Sequence, residues 1–285
     1  MKIILSSDRI CDLPKDVLGH FKIETIPYHI NLENTDYLDS VNIFPQDLYE
    51  AYREKKILPK TSAVNVGEYL KYFEKWTSRG YSVIHFCLGS SLTSSYNNCK
   101  IAAEELGDVY VVDSGNLSSA VGLQLMDCRK MIDDGMDIKD IYEYFVESKT
   151  KYHGGFVLNN LEFLKAGGRC SSLAAYGASL LNIKVEINVN NTCGSMTSGA
   201  KYRGAMEKVL PKFVNDKIRK YPDLKRDKIC ITHSGLDASI IDSVKNTIEK
   251  TMEVEKIYVC EASCTISTHC GPDCFGLFFA TEDKY

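Results

Sequence analysis

Ser82-Val83-Ile84-His85-Phe86-Cys87-Leu88, then Gly89-Ser90-Ser91-Leu92-Thr93-Ser94, then the stretch from Ser95 to Leu106, and finally Val109-Tyr110-Val111-Val112 decide the fold class. A seven-residue apolar run bounded by turn residues suits a strand covered on both faces. The amphipathic stretch after it supplies the crossover helix, and the second β-branched run closes a βαβ unit. Working outward, the same alternation continues. Lys2–Leu5 reads as a strand, and Val66–Ser78, Ala120–Asp133 and Ile138–Lys149 carry helical periodicity. Past residue 150 the strands come more densely, at Gly155–Leu158, Lys184–Val189, Lys228–Thr232, Lys256–Glu261 and Gly276–Thr281, with long helices at Ala205–Tyr221 and Ser239–Met252. The polar connection Asn190-Asn191-Thr192-Cys193-Gly194-Ser195-Met196 suits a hairpin. The expectation is an α/β protein of two domains: residues 1–150 as an N-terminal α/β domain with a mainly parallel sheet, and residues 151–285 as a C-terminal α+β domain with a mixed sheet.

The 285 residues are 44% hydrophobic and 25% charged, which places the chain among ordinary globular proteins rather than disordered or fibrous ones. A net charge of −4 gives no electrostatic footprint for a nucleic-acid backbone. The apolar start, Met1 to Leu5, is far shorter than a signal-peptide core or a membrane span, so a cytoplasmic location without membrane insertion is expected. In that compartment the eleven cysteines are expected to be reduced thiols.

Ligands of open α/β sheets bind outside the carboxyl ends of the strands. The loops there are rich in hydroxyls: Ser6-Ser7-Asp8, Gly89 to Ser95, and Asp113-Ser114-Gly115-Asn116, with Lys60-Thr61-Ser62 expected at the N-terminal end of another helix. Hydroxyls and orphan N–H groups at helix N-termini attract anions. Few cations accompany them, which favours a carboxylate over a polyphosphate. Ser and Thr are also ordinary helix caps, so no single loop decides the matter.

Other motifs give less. His233 and His269 each sit beside an apolar strand, where an imidazole serves equally as a packing residue or a site residue. Cys260, Cys264, Cys270 and Cys274 lack the short paired spacing of structural zinc sites, and no metal is expected there. Gly89-Ser90-Ser91-Leu92-Thr93 lacks the second glycine of a nucleophile elbow, and neither a Walker A loop nor a G-x-G-x-x-G turn is present. Gly167-Gly168-Arg169 reads as a left-handed helix end. A small-molecule hydrolase or phosphotransferase using Asp8, Asp113 or His269 as acid or base is the alternative the residues leave open.

Taken in order, Ser7-Asp8 with Asp12-Leu13-Pro14, Lys60-Thr61-Ser62, Ser90 to Tyr96, Val112-Asp113-Ser114, Leu161 to Arg169, Lys201-Tyr202-Arg203, His233, and Thr268 to Pro272 leading into Gly276 resemble the DegV family over essentially the whole chain. The characterised members of that family are fatty-acid-binding subunits of bacterial fatty acid kinase. The resemblance implies a fatty acid buried between two domains. It implies a carboxylate held by hydroxyls matching Thr61 or Ser62 and Thr93, with Ser94 beside them, and Arg169 and His269 near the mouth. It also implies that Arg203 meets a separate kinase with a dihydroxyacetone-kinase-like domain. The subunit would do no chemistry itself and require no cofactor, handing on an acyl phosphate for phospholipid synthesis; the alternative under the same resemblance is a fatty-acid-responsive regulator. This chain departs from the family at Thr93-Ser94-Ser95, at Ala63-Val64 and at Gly204. The first change adds a methyl and a stiffer χ1 at the head-group position.

Overall fold

The computed structural model describes residues 2–171 and 183–282. Strands β1 (Ile3–Asp8), β2 (Ile23–Ile26), β3 (His29–Leu32), β4 (Thr35–Leu38), β5 (Lys60–Ser62), β6 (Ser82–Cys87) and β7 (Val109–Asp113) occupy the first half. With them are helices α1 (Lys15–His20), α2 (Pro45–Lys55), α3 (Val66–Thr77), α4 (Ser95–Leu106), α5 (Ser119–Asp133) and α6 (Ile138–Ser148). The second half holds β8 (Tyr152–Leu158), α7 (Glu162–Gly167), β9 (Ile183–Val189), β10 (Met196–Arg203), α8 (Met206–Lys220), β11 (Leu224–Ser234), α9 (Ala238–Thr251), β12 (Lys256–Glu261), α10 (Cys264–Cys270) and β13 (Cys274–Thr281).

The βαβ reading of Ser82 to Val112 holds. β6 is buried at every residue and lies inside an all-parallel sheet of order β2-β1-β6-β7. Its β-branched and aromatic residues suit a strand covered on both faces. The second half forms a six-stranded mixed sheet of order β10-β9-β8-β13-β11-β12, antiparallel except for the β11–β12 pair. Side chains alternate across it. Val157, Ile231, Phe275 and Leu277 share a core with α8 and α9, whereas Phe156, Leu158, Cys230 and Phe278 join the core of the first half. Helix α5 contacts β8, β11 and β13 and thereby joins the two sheets. The hairpin expected at Asn190–Met196 joins β9 and β10, with Asn190 N–H donating to Ser195 O at 2.8 Å. Among the described residues no helix is long and apolar enough to cross a membrane.

One region differs from the expectation. Residues 23–62 form β2 and a small antiparallel sheet of order β4-β3-β5, and Thr61 lies in β5 opposite Ile30 rather than at a helix N-terminus. The helix after it, α3, is capped instead by Asn65, whose side chain accepts from Glu68 N–H at 3.0 Å.

Candidate functional site

A cavity of about 1020 Å³, its open mouth included, lies where the first half meets the inner face of the six-stranded sheet. Its walls are chiefly apolar, with Tyr28, Leu88 and Leu117 from one half and Phe156, Met196 and Phe278 from the other.

The polar groups on its wall fall into two sets. One set is already committed within the protein. Ser118 Oγ donates to Asp12 at 2.6 Å, Thr232 Oγ1 pairs with Ser119 Oγ at 2.6 Å, Ser234 Oγ donates to Gly271 O at 2.6 Å, and Thr265 Oγ1 donates to Asp39 at 2.6 Å. Ser118, Ser234 and Thr265 thus direct their hydrogens to oxygens of the protein. Ser118 achieves this at φ +55°, ψ −143°, a conformation that non-glycine residues rarely take and that stores strain. Burial holds the Asp12 carboxyl up to about 7.

The second set is Thr61, Thr93, Ser94, Arg169 and His269, all of which line the cavity. Thr93 and Ser94 form the entry to α4, a twelve-residue helix; Thr93 Oγ1 accepts from Ser95 N–H and donates to Ser95 Oγ, both at 3.2 Å, and Ser94 occupies the cap position without a side-chain capping bond. A helix start of this kind presents N–H groups and the positive end of a dipole. Arg169 is exposed at the rim, its Nη1 donating to Gly167 O at 2.6 Å.

His269 lies on α10, whose N-terminus is held by the buried Asp39 carboxylate accepting from the Cys264 and Thr265 N–H groups. Its Nε2 is 3.0 Å from Thr61 Oγ1, and its Nδ1 is buried against Gly167 with no partner among the described residues. Any Cβ at Gly167 would come within 2.2 Å of Nδ1, so only glycine leaves room for the ring. Burial and the Arg169 guanidinium depress the imidazole to about 4, so it is neutral at physiological pH. An orphaned acceptor is tolerated better than an orphaned N–H. The hydrogen-bond pattern therefore assigns the proton to Nε2, which donates to Thr61 Oγ1 and leaves the threonine hydrogen free for a ligand.

The remaining sequence candidates are placed differently. Ser62 is exposed and does not line the cavity, since neighbouring residues of a strand point to opposite faces. Arg203 is exposed at the end of β10, an edge strand. His233 lines the cavity from the end of β11, and burial lowers its pKa. Asp8 is fully buried behind the cavity wall, accepting from Tyr28, Tyr69, His85 and the Leu88 N–H. Asp113 accepts from Ser90 and Gly115. Neither carboxylate faces the cavity. Ser6 and Ser7 are likewise buried, bonded to His85 and Phe86 O. Of the hydroxyl-rich strand ends, those at Thr93 and Ser94 face the cavity.

The C-terminal cysteines do not converge. Cys260 faces Cys230, Cys264 bonds Ile43 O, and Cys270 faces Cys274. The donor atoms that do approach one another, within 4.8 Å, belong to His85, Cys87 and Cys99 in the parallel sheet. Both nitrogens of that imidazole already have partners, Ser6 and Asp8, and burial pushes both thiols up, so the cluster is a hydrogen-bonded, protonated set.

Tyr28, Ser118, Phe156 and Phe278 also line the cavity and carry no sequence signal that separates them from ordinary core residues. A family model described as an uncharacterised protein of the DegV family matches residues 2–282. A DegV domain-containing protein of Clostridium perfringens is 30% identical over 291 residues, covering 99% of each chain. A Thermotoga maritima protein named a fatty acid-binding protein is 28% identical, covering 97% of this chain and 96% of its own. The solved structure of a Thermus thermophilus DegV family protein, described by its fatty acid binding, superposes with a TM-score of 0.89 at 23% identity over 99% of this chain and 100% of the other, which shows a common fold.

Proposed function

The chain belongs to the DegV family, and on that premise we propose that it binds a long-chain fatty acid, with the carboxylate at the entry of α4 and the acyl chain in the apolar cavity. One observation carries this reading: the Ser118, Ser234 and Thr265 hydroxyls donate to oxygens of the protein, whereas the Thr61 hydroxyl, which accepts from His269, and the Ser94 hydroxyl, which makes no capping bond at the start of α4, keep hydrogens for a ligand. A chiefly apolar cavity with a few hydroxyls left to donate fits an amphiphile with a small anionic head. Burial of a sixteen-carbon chain represents on the order of 12 kcal/mol of transfer free energy at about 0.8 kcal/mol per methylene, so an enclosed apolar space is what the ligand demands. The name of the Thermotoga maritima relative supports the same ligand.

In this reading the protein is a carrier without catalysis of its own. Ser62 stands aside, and Arg169 screens the mouth. A separate kinase phosphorylates the presented carboxylate, and the acyl phosphate is carried onward shielded from water. The two folding units are residues 1–150 and 151–285, and the buried thiols suit the reducing cytoplasm. Protein purified without added lipid is expected to release about one fatty acid per chain on organic extraction, read by mass spectrometry. No lipid on extraction, together with no binding of added long-chain acids, overturns the reading.

A further inference from the structure

Two glycines lie on one sheet face in the interior of neighbouring strands, Gly154 on β8 and Gly276 on β13, and Gly276 lines the cavity. Neither has a positive φ, so backbone conformation does not call for glycine at either position. Glycine inside a strand weakens it and marks close approach of another group. The group here is a single ring. A Cβ on Gly154 would lie 2.5 Å from Phe278 Cδ1, and one on Gly276 would lie 2.6 Å from Phe278 Cε2. Phe278 pairs directly with Gly154 across the strands and is two residues from Gly276, so all three share one face of the sheet. Its ring therefore lies down across both bare backbones instead of standing up into the cavity.

The position of the slot gives it a meaning. Cys274, Gly276 and Phe278 alternate along the cavity face of β13, about 6.6 Å apart. Cys274 stands beside Cys270 at the end of α10, the helix that carries His269. Phe278 is two steps further on, roughly 13 Å from Cys274, near α5. We infer that the Gly154–Gly276 slot sets the depth of the acyl cavity by holding Phe278 flat, so that these three residues fix the longest chain the protein accepts. The inference rests on the fatty-acid reading of the cavity and adds to it the determinant of chain length.

The test titrates the whole protein with the saturated series from lauric to arachidic acid, by displacement of a fluorescent fatty acid. Gly276→Ala lifts the ring into the cavity, and each methylene then excluded weakens binding about 4-fold. The longest acids that the wild type binds should lose about 15-fold for two methylenes, while lauric acid stays within about twofold. Phe278→Leu opens the same space and should shift preference the opposite way, toward longer acids; it also serves if the alanine variant does not fold. Unchanged relative affinities across the series in the folded variants overturn the depth assignment while leaving fatty-acid binding standing. A wild type that binds none of the acids overturns the underlying reading and the inference with it.

Discussion

Thr61 and His269 come from elements 208 residues apart, and their 3.0 Å contact turns a packing histidine into a device that orients a hydroxyl. A charge-assisted hydrogen bond contributes roughly 1.5–3 kcal/mol, so Thr61→Val or Thr93→Val is expected to weaken fatty-acid binding by about 10- to 100-fold with little change in fold. Titration with a fluorescent fatty acid checks this, and full affinity in a folded Thr93→Val protein would move the head group elsewhere. Asp12, which holds the Ser118 hydroxyl of the cavity wall, supplies a test by pH. Burial raises its carboxyl to about 7, above an unfolded value near 3.9, so its contribution is fully present below that unfolded value and is lost as pH rises through about 7. His269 runs the other way: its depressed pKa contributes stability above about 6.5 that is lost as pH falls toward about 4. Across the acid range the two slopes oppose each other. Asp12→Asn should therefore melt higher than wild type at pH 8, with the gain shrinking as pH is lowered to 4. Each unit of raised pKa corresponds to about 1.4 kcal/mol, so the change is well within reach of thermal melts. A difference independent of pH would mean that Asp12 does not titrate in this window.

At the level of elements, what was legible in the sequence depended on length and period. β6 has six buried residues in a row, and α3 places Tyr69, Tyr72 and Phe73 inward at helical spacing, so both were readable. β4 and β5 are four and three residues long and partly exposed, too short to show a period, and Thr61 was accordingly assigned to a helix start that Asn65 in fact caps. The β9–β10 hairpin was legible from its polar tip, but its docking was not. A Cβ on Gly89 would meet Cys193 O at 2.8 Å, and one on Gly115 would meet Asn191 O at 2.4 Å. These loops follow β6 and β7, so the hairpin of the second half sits directly on the strand ends of the first. Ser91 strengthens the contact, donating from N–H and Oγ to Cys193 O. Gly115 also has φ +58°, so Gly115→Ala faces both a backbone collision and an unfavourable conformation. It is expected to destabilise the protein by about 1–3 kcal/mol, seen as a lower melting temperature, whereas Gly135→Ala, at positive φ in open space, should lose about 1 kcal/mol. Equal losses at the two sites would remove the hairpin contact from the account.

Over the whole molecule, the cavity exists only because the inner face of one sheet is roofed by loops and helices of the other half, which is why its apolar lining could not be read from sequence order. Thr93 and Phe278 are separated by most of the chain, and only packing makes them two parts of one wall. On the proposed function, the same architecture would separate holding a ligand from handing it on. The head-group side opens at Arg169, while Arg203 stands exposed on the edge strand β10 with no part in the cavity wall. If a separate kinase docks along that edge, Arg203 offers a planar fork suited to carboxylates on the partner. Arg203→Ala should then bind fatty acid as the wild type does, yet lose acyl-phosphate formation when mixed with the cognate kinase and ATP. Truncating one member of an interfacial charge pair typically costs about 2–5 kcal/mol, enough to reduce turnover at limiting carrier by well over tenfold. The two measurements must be made on the same preparation, because their divergence is the signature of docking. Undiminished phosphorylation would place the kinase on another face, and parallel loss of binding and phosphorylation would assign Arg203 to the integrity of the hairpin instead.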